Sequence, residues 1–231
     1  PYSGNPLEAI FITTSKALTT RILNENRIKT PLSFQPSQCR KMTPGLKYII
    51  KPVWEDGSQG ITHDSVFTFR DDETERLLKY DDSHWIIQEY IEGREFNITV
   101  LFSQSGPEVM PPAEMVFHNF GDDMPKIVDF RAKWIEDSFE YVNTVREFPG
   151  ENLDPVLAEK IKEAALRCWD VFGLKGYARV DMRVDSENNP YVIEVNANPC
   201  LSPDSGVVAA INHAGIPMTE VVKRITEDLN M

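Results

Sequence analysis

"GYARVDMRVDSENNPYVIEVNANP", residues 176–199, holds two apolar-rich runs separated by a polar turn. In the first run Arg179, Asp181 and Arg183 share one face, and Ala178, Val180 and Met182 the other, because successive strand side chains point to opposite sides. In the second, the same rule predicts Val192, Glu194 and Asn196 on one face and Tyr191, Ile193 and Val195 on the other. The connection "DSENN" is short and rich in turn formers, so the two runs read as an antiparallel hairpin. That hairpin sets Asp181 beside Glu194. Asp, Glu and Asn offer hard oxygen donors only, a set that suits Mg²⁺ held by one or two carboxylates together with a phosphate. On the hairpin alone, a surface ladder of carboxylates neutralised by Arg179 and Arg183 is the plainer reading.

Working outward, Asp154 followed by Pro155 opens the clearest helix, with an apolar stripe at Leu157, Ile161, Ala164, Cys168 and Phe172 that stops at Gly173. Residues 206–214 and 217–229 read as two more helices. Residues 6–27 read as one or two, and the acidic stretch 71–80 as another. "KYIIKPV", "HWIIQEYI", "EFNITVLF", "PPAEMVFH" and "KIVDFRAKW" are rich in β-branched and aromatic residues and read as strands, while "TPLSFQPS" is a Pro-broken loop with room for one short strand. Helices and strands are mixed without regular βαβ alternation, so the fold class is α+β.

The 231 residues are 41% hydrophobic and 26% charged, a globular composition, and no apolar run approaches bilayer length. A net charge of −12 argues against general nucleic-acid binding. Three cysteines without CxxC spacing point to a reducing, cytoplasmic setting. The four histidines lie in separate segments with no paired spacing, so no histidine-based metal site is expected.

Lys51 ends an apolar strand just before the glycine-bearing loop "EDGSQG" (55–60). Backbone N–H groups in such a loop can approach phosphate while the lysine supplies charge, although the loop lacks the P-loop pattern. Arg131 and Lys133, read as sharing a strand face, add cations; a solvated strand edge would look the same.

"PYSG", "IIKP", "EDGSQG", "IIQEYIEGREF", "FRAKW", "GYARVDMRV" and "IEVNANP" follow one another in the order and spacing of ATP-grasp ligases, and the chain most resembles their D-alanine–D-alanine ligase branch. The resemblance implies two α+β lobes clamping ATP, an antiparallel sheet in the C-terminal lobe, and ligation of a carboxylate to an amine through an acyl phosphate. Residues 1–15 would connect to an N-terminal domain, 16–90 would form the first lobe and 91–231 the second, which carries Mg²⁺ (or Mn²⁺) and substrate.

By the same resemblance Asp181, Glu194 and Asn196 are the metal ligands. Lys51 and Lys16 hold phosphates, and Ser58 lies in the loop over the β- and γ-phosphates. Gln88, Glu89 and Ile91 form the hinge against adenine, and Glu95 accepts the ribose hydroxyls. Lys133 reaches the transferred phosphate, and Arg179 steadies the acyl phosphate and the oxyanion. Ser205 receives the acceptor's carboxylate at a helix N-terminus. Cys200 stands where these ligases usually carry Gly; a small buried residue is the expectation, with a redox role as the alternative. "GSQG", Trp134 and Gly206 also depart from the usual pattern. Amino acids are the implied partners, and analogy allows a homodimer. An ATP-binding module that cannot ligate without the N-terminal domain is the competing function.

Overall fold

The computed structural model describes residues 3–228; Pro1 and Tyr2 of "PYSG" and residue 229 of the last expected helix lie outside them. The chain opens with α1 (Leu7–Thr14) and α2 (Lys16–Glu25). They divide at Ser15, which is extended and caps the second helix by accepting from the Leu18 N–H.

A four-stranded antiparallel sheet follows, built from β1 (Ser33–Phe34), β2 (Lys47–Pro52), β3 (Val66–Thr68) and β4 (Trp85–Glu89) in the order β1-β4-β2-β3. The stretch expected as a helix over 71–80 gives only a 3-10 turn and one α-turn, α3 (Thr74–Leu77), whose Leu77 is fully buried. Tyr48, Ile50, Phe69, Leu77 and Ile87 make this lobe's own core.

The larger sheet contains β5 (Arg94–Leu101), β6 (Glu108–Val109), β7 (Ala113–Phe117), β8 (Thr144–Glu147), β9 (Tyr177–Val184) and β10 (Pro190–Asn196). Its order is β10-β9-β5-β7-β8, with β6 beside β5. Between β7 and β8 lie the short helices α4 (Phe130–Trp134) and α5 (Phe139–Asn143). After β8 comes α6 (Pro155–Val171), capped by Asp154, whose carboxylate accepts from the Leu157 N–H at 2.9 Å. Its Leu157, Ile161, Ala165 and Cys168 pack on Phe96, Ile98, Val180 and Met182 of the sheet. Burying each of the Leu, Ile, Val, Phe and Met side chains among them contributes about 1.5–3 kcal/mol. Ala9 and Leu23 join this core too, so α1 and α2 lean on the larger sheet. The last helices, α7 (Gly206–His213) and α8 (Met218–Glu227), cover a second patch with Leu101 and Tyr177.

Two expectations need correction. "KIVDFRAKW" is not a strand: the Asp129 carboxylate accepts from the Ala132 N–H at 2.9 Å and starts α4. Arg131 and Lys133, two apart on a helix, therefore point in different directions. The alternation in β10 also breaks. Val192 pairs with Met182 and Glu194 with Asp181, leaving Ile193 as the extra residue of a β-bulge. Val192 and Val195 thus both reach the core, and Ile193 falls on the side of Glu194.

Candidate active site

The polar face of the larger sheet forms three cross-strand rows. By register, Glu95, Arg183 and Tyr191 make one, Asn97, Asp181 and Glu194 the next, and Thr99, Arg179 and Asn196 the third. Glu95, Asn97, Arg179, Asp181, Arg183 and Glu194 of these rows look onto a cavity of about 490 Å³, closed on the other side by the smaller sheet. Lys51 and Gln88 reach it from that sheet, Lys16 from the start of α2, and Lys133 from α4. Glu89 and Ile91 line it where the chain passes from β4 to β5.

Cationic side chains and carboxylates meet in this cavity, and each shifts the other's charge. Arg179 grips Asp181 through two hydrogen bonds of 2.7 Å. Burial opposes the charge on Arg179, but Asp181 and then Glu194 outweigh it and raise its pKa. Burial would raise the Glu194 carboxyl, yet Lys133, Arg179, Lys16 and Lys51 hold it below the usual carboxylate range. Burial, and after it the neighbouring Lys16, bring Lys51 down to about 8. Burial raises the pKa of Glu95, opposed by Arg183, whose Nη1 donates to it at 3.1 Å. Arg183 also donates to the carbonyls of Ile91, Gly93 and Lys126, so it braces the crossing between the sheets.

The loop 55–61 forms a wall. Gly57, Ser58 and Gly60 have positive φ values of 64°, 63° and 73°. The Ser58 hydroxyl donates to the Val128 carbonyl at 2.6 Å, and Trp134 Nε1 donates to the Gly57 carbonyl at 2.8 Å. The Lys16 ammonium donates to the Glu55 carbonyl. The loop is therefore fastened to α2 and to the α4 segment.

Eleven of the thirteen residues singled out in the sequence line this cavity: Lys16, Lys51, Ser58, Gln88, Glu89 and Ile91, then Glu95, Lys133, Arg179, Asp181 and Glu194. Asn196 and Ser205 do not. Asn196 Oδ1 accepts from the Asn198 N–H at 2.9 Å, and Ser205 caps α7 by accepting from Val208, while its neighbours Asp204 and Gly206 reach the cavity. Cys200 is exposed, contrary to the buried residue expected, because its thiol turns outward to Ser202 and donates to that hydroxyl at 3.1 Å. Asn97 and Arg146 also line the cavity and escaped the sequence reading. Strand period could have found Asn97, two residues after Glu95; nothing local marks Arg146.

Could Mg²⁺ be held here? Asp181 and Glu194 are register neighbours with cations around them, and carboxylate oxygens each carry two lone pairs, so Asp181 can face both Arg179 and an ion. The donor chemistry fits a hard cation.

Over residues 23–227 the chain matches the family described as D-ala D-ala ligase C-terminus. The D-alanine–D-alanine ligase of Bordetella petrii is 24% identical over 233 residues, an alignment covering 99% of this chain and 68% of that protein. The one from Pseudoalteromonas translucida is 32% identical over 181 residues, 78% of this chain and 54% of its own. Among solved structures, D-alanine–D-alanine ligase from Bacillus anthracis complexed with ATP aligns with a TM-score of 0.70 at 23% identity, covering 99% of this chain and 69% of its own. The D-Ala:D-Ser ligase from Enterococcus faecalis aligns at 0.74 and 18%, covering 98% and 64%. The shared architecture is two lobes with antiparallel sheets. The chain belongs to the D-ala D-ala ligase C-terminus family, within the ATP-grasp superfamily of ATP-dependent ligases that form C–N bonds.

Proposed function

We propose that this chain binds Mg·ATP in the cavity between its sheets and joins the carboxylate of one amino acid to the amine of another, as D-alanine–D-alanine ligases do. The observation that carries the reading is the convergence of Lys16, Lys51, Lys133 and Arg179 on the paired carboxylates Asp181 and Glu194. Phosphoryl transfer asks for positioning and charge neutralisation rather than a side-chain nucleophile.

In this reading Gln88, Glu89 and Ile91 bind the adenine edge and Glu95 the ribose. Lys51 and Lys16 hold the inner phosphates, and the loop carrying Ser58 covers the outer ones. Asp181 and Glu194, with Asn196 after a side-chain turn, would hold Mg²⁺ (or Mn²⁺), which supplies charge neutralisation and orientation at the phosphate oxygens. Lys133 neutralises the phosphoryl group as it moves to the substrate carboxylate. Arg179 opposes the charge that builds on the former carbonyl oxygen when the amine attacks. Ser205, at the N-terminus of α7, and Arg146 beside Gly206 offer a place for the acceptor's carboxylate.

The proposal keeps residues 1–15 as a connection, 16–90 as the first lobe and 91–231 as the second, with the apolar side of α2 assigned to the larger core. Three free cysteines support a reducing, cytoplasmic setting, in peptidoglycan or other dipeptide synthesis. No described helix is long and apolar enough to cross a membrane. A homodimer remains part of the proposal by analogy alone.

The test is phosphate release from ATP with Mg²⁺ and a panel of D- and L-amino acids. Amino-acid-dependent release supports ligation; nucleotide binding without it marks an ATP-binding module. Asp181→Asn and Glu194→Gln should each lower Mg²⁺-dependent turnover by roughly 100-fold or more. Full turnover in either variant removes that residue from the metal site.

A further inference from the structure

Behind the loop wall, outside the nucleotide cavity, three ligand-type side chains meet from separate segments. His63 follows the glycine loop, Asp129 precedes α4, and Glu140 lies in α5. His63 Nε2 is 3.9 Å from Asp129 Oδ2 and 4.0 Å from Glu140 Oε1, and the three ligand atoms lie within 4.8 Å of one another. We propose that His63, Asp129 and Glu140 bind a single divalent transition-metal ion of the zinc class, which ties the glycine loop to the segment that carries Lys133.

The side chains are oriented for this role. Asp129 is 1% exposed; its Oδ1 is used by the Ala132 N–H, while Oδ2 is buried without a partner. Glu140 gives Oε2 to Arg131 Nε at 3.0 Å and turns Oε1 toward His63. His63 Nε2 is buried and also lacks a hydrogen-bond partner. A buried, unpaired carboxylate oxygen facing an unpaired imidazole nitrogen is costly unless something sits between them. The carboxylates are held from behind by a backbone N–H and a guanidinium, the kind of outer support that fixes metal ligands.

The donor set selects the ion. Imidazole with two carboxylates suits zinc and its neighbours rather than Mg²⁺, and two carboxylates neutralise the dication. Ligand atoms around tetrahedral zinc stand about 3.4 Å apart, so His63 needs to close on each carboxylate by only about half an ångström, and the two carboxylates on each other by at most about 1.4 Å. Phe120 packs edge-on to His63 at 6.4 Å and against Phe139 at 5.3 Å, giving the cluster an apolar wall. The His63 side chain is 25% exposed although its Nε2 is buried, so the ring lies at the surface with its ligand nitrogen turned inward. The same segments are already joined by the Phe130 N–H donating to the Ile61 carbonyl at 3.2 Å and by the Ser58–Val128 bond. With the Trp134–Gly57 bond these make three, and the ion would add a fourth fastening to the loop over the phosphates.

The inference does not depend on the ligase reading, because the experiment reads metal and not turnover. Metal-free protein is titrated with Co²⁺ alone and followed by its visible absorption. We expect one Co²⁺ with the intensity of a four-coordinate, nitrogen-containing site, displaced by Zn²⁺. His63→Asn and Glu140→Gln should each lose the signal while keeping the circular dichroism of the parent. Asp181→Asn/Glu194→Gln, altered only in the cavity, should retain it. Asp129 is left intact because it also caps α4. Absence of a Co²⁺ signal in the parent overturns the proposal, with His63 then a simple ion-pair partner of the two carboxylates. A signal that survives both His63→Asn and Glu140→Gln, or disappears with the cavity carboxylates, overturns it equally. Should His63→Asn unfold, Glu140→Gln and the NMR broadening of the His63 ring by Co²⁺ in the parent decide the matter.

Discussion

An ammonium group buried at the end of β2, with Lys16 as a neighbour, holds its proton less firmly than a lysine in water. Lys51 titrates near 8 in place of 10.5. The charged form costs the native state about 3 kcal/mol below pH 8, and that cost fades as pH rises from about 8 toward 10.5, where the unfolded chain still binds the proton. A bound phosphate reverses the balance by restoring the proton. Binding of Mg·ATP should therefore weaken as pH passes through about 8 and should take up a proton at about pH 8.5. Calorimetry in two buffers of different ionisation heat measures that uptake. Lys51→Met should abolish it and weaken binding roughly 100-fold. Asp181 was legible because its facing follows from a count of two along β9; Glu194 was found beside it through the hairpin although the bulge breaks the count, and Lys51 through its place before the glycine loop. Asn97 obeys the same count. Arg146 and the outward thiol of Cys200 depend on turns and on distant segments, and no local pattern encodes those.

Elements were readable where one interaction dominated. The stripe of α6 and its Asp154 cap announce the helix, and the 185–189 turn announces the β9–β10 hairpin. The segment 126–134 misleads because its composition suits a strand while a single carboxylate, Asp129, bends it into a helix. Gly93, between β4 and β5, shows how tightly the elements are joined. Its φ is +139°, and a Cβ there would stand 2.0 Å from the Val184 carbonyl oxygen. Gly93→Ala should cost about 3 kcal/mol or more in chemical denaturation, because both the backbone and the neighbouring strand must yield. Gly45→Ala, at φ +88° with nothing within 4 Å, should cost only about 1 kcal/mol. Equal losses at the two sites would show that the crossing is looser than its geometry implies.

At the scale of the molecule, two sheets with separate cores share one cavity whose cations gather against a net charge of −12. The α+β class and the β9–β10 hairpin could be read from strand and helix patterns, while the antiparallel larger sheet followed from the family resemblance. The leaning of α1 and α2 on the larger core could not, since their apolar residues would serve either sheet equally. A ligand that touches both lobes should stabilise both. Mg·ATP at about 100 times its dissociation constant should add about 2.7 kcal/mol to unfolding. Hydrogen exchange should show the gain in β2 and β9 alike, and chelation of Mg²⁺ should remove most of it. Protection confined to one sheet would mean that the cavity is not bridged.

The bulge in β10 gives this strand an unusual tolerance to loss. Removing one residue from a half-buried strand ordinarily reverses the facing of everything beyond it. Here the odd residue is already present, so a chain lacking Ile193 would run Val192, Glu194, Val195 in strict alternation and keep each opposite Met182, Asp181 and Val180. Ile193 is thus the residue whose deletion spares the phase of the strand, at the expense of local twist and one apolar side chain in the cavity wall.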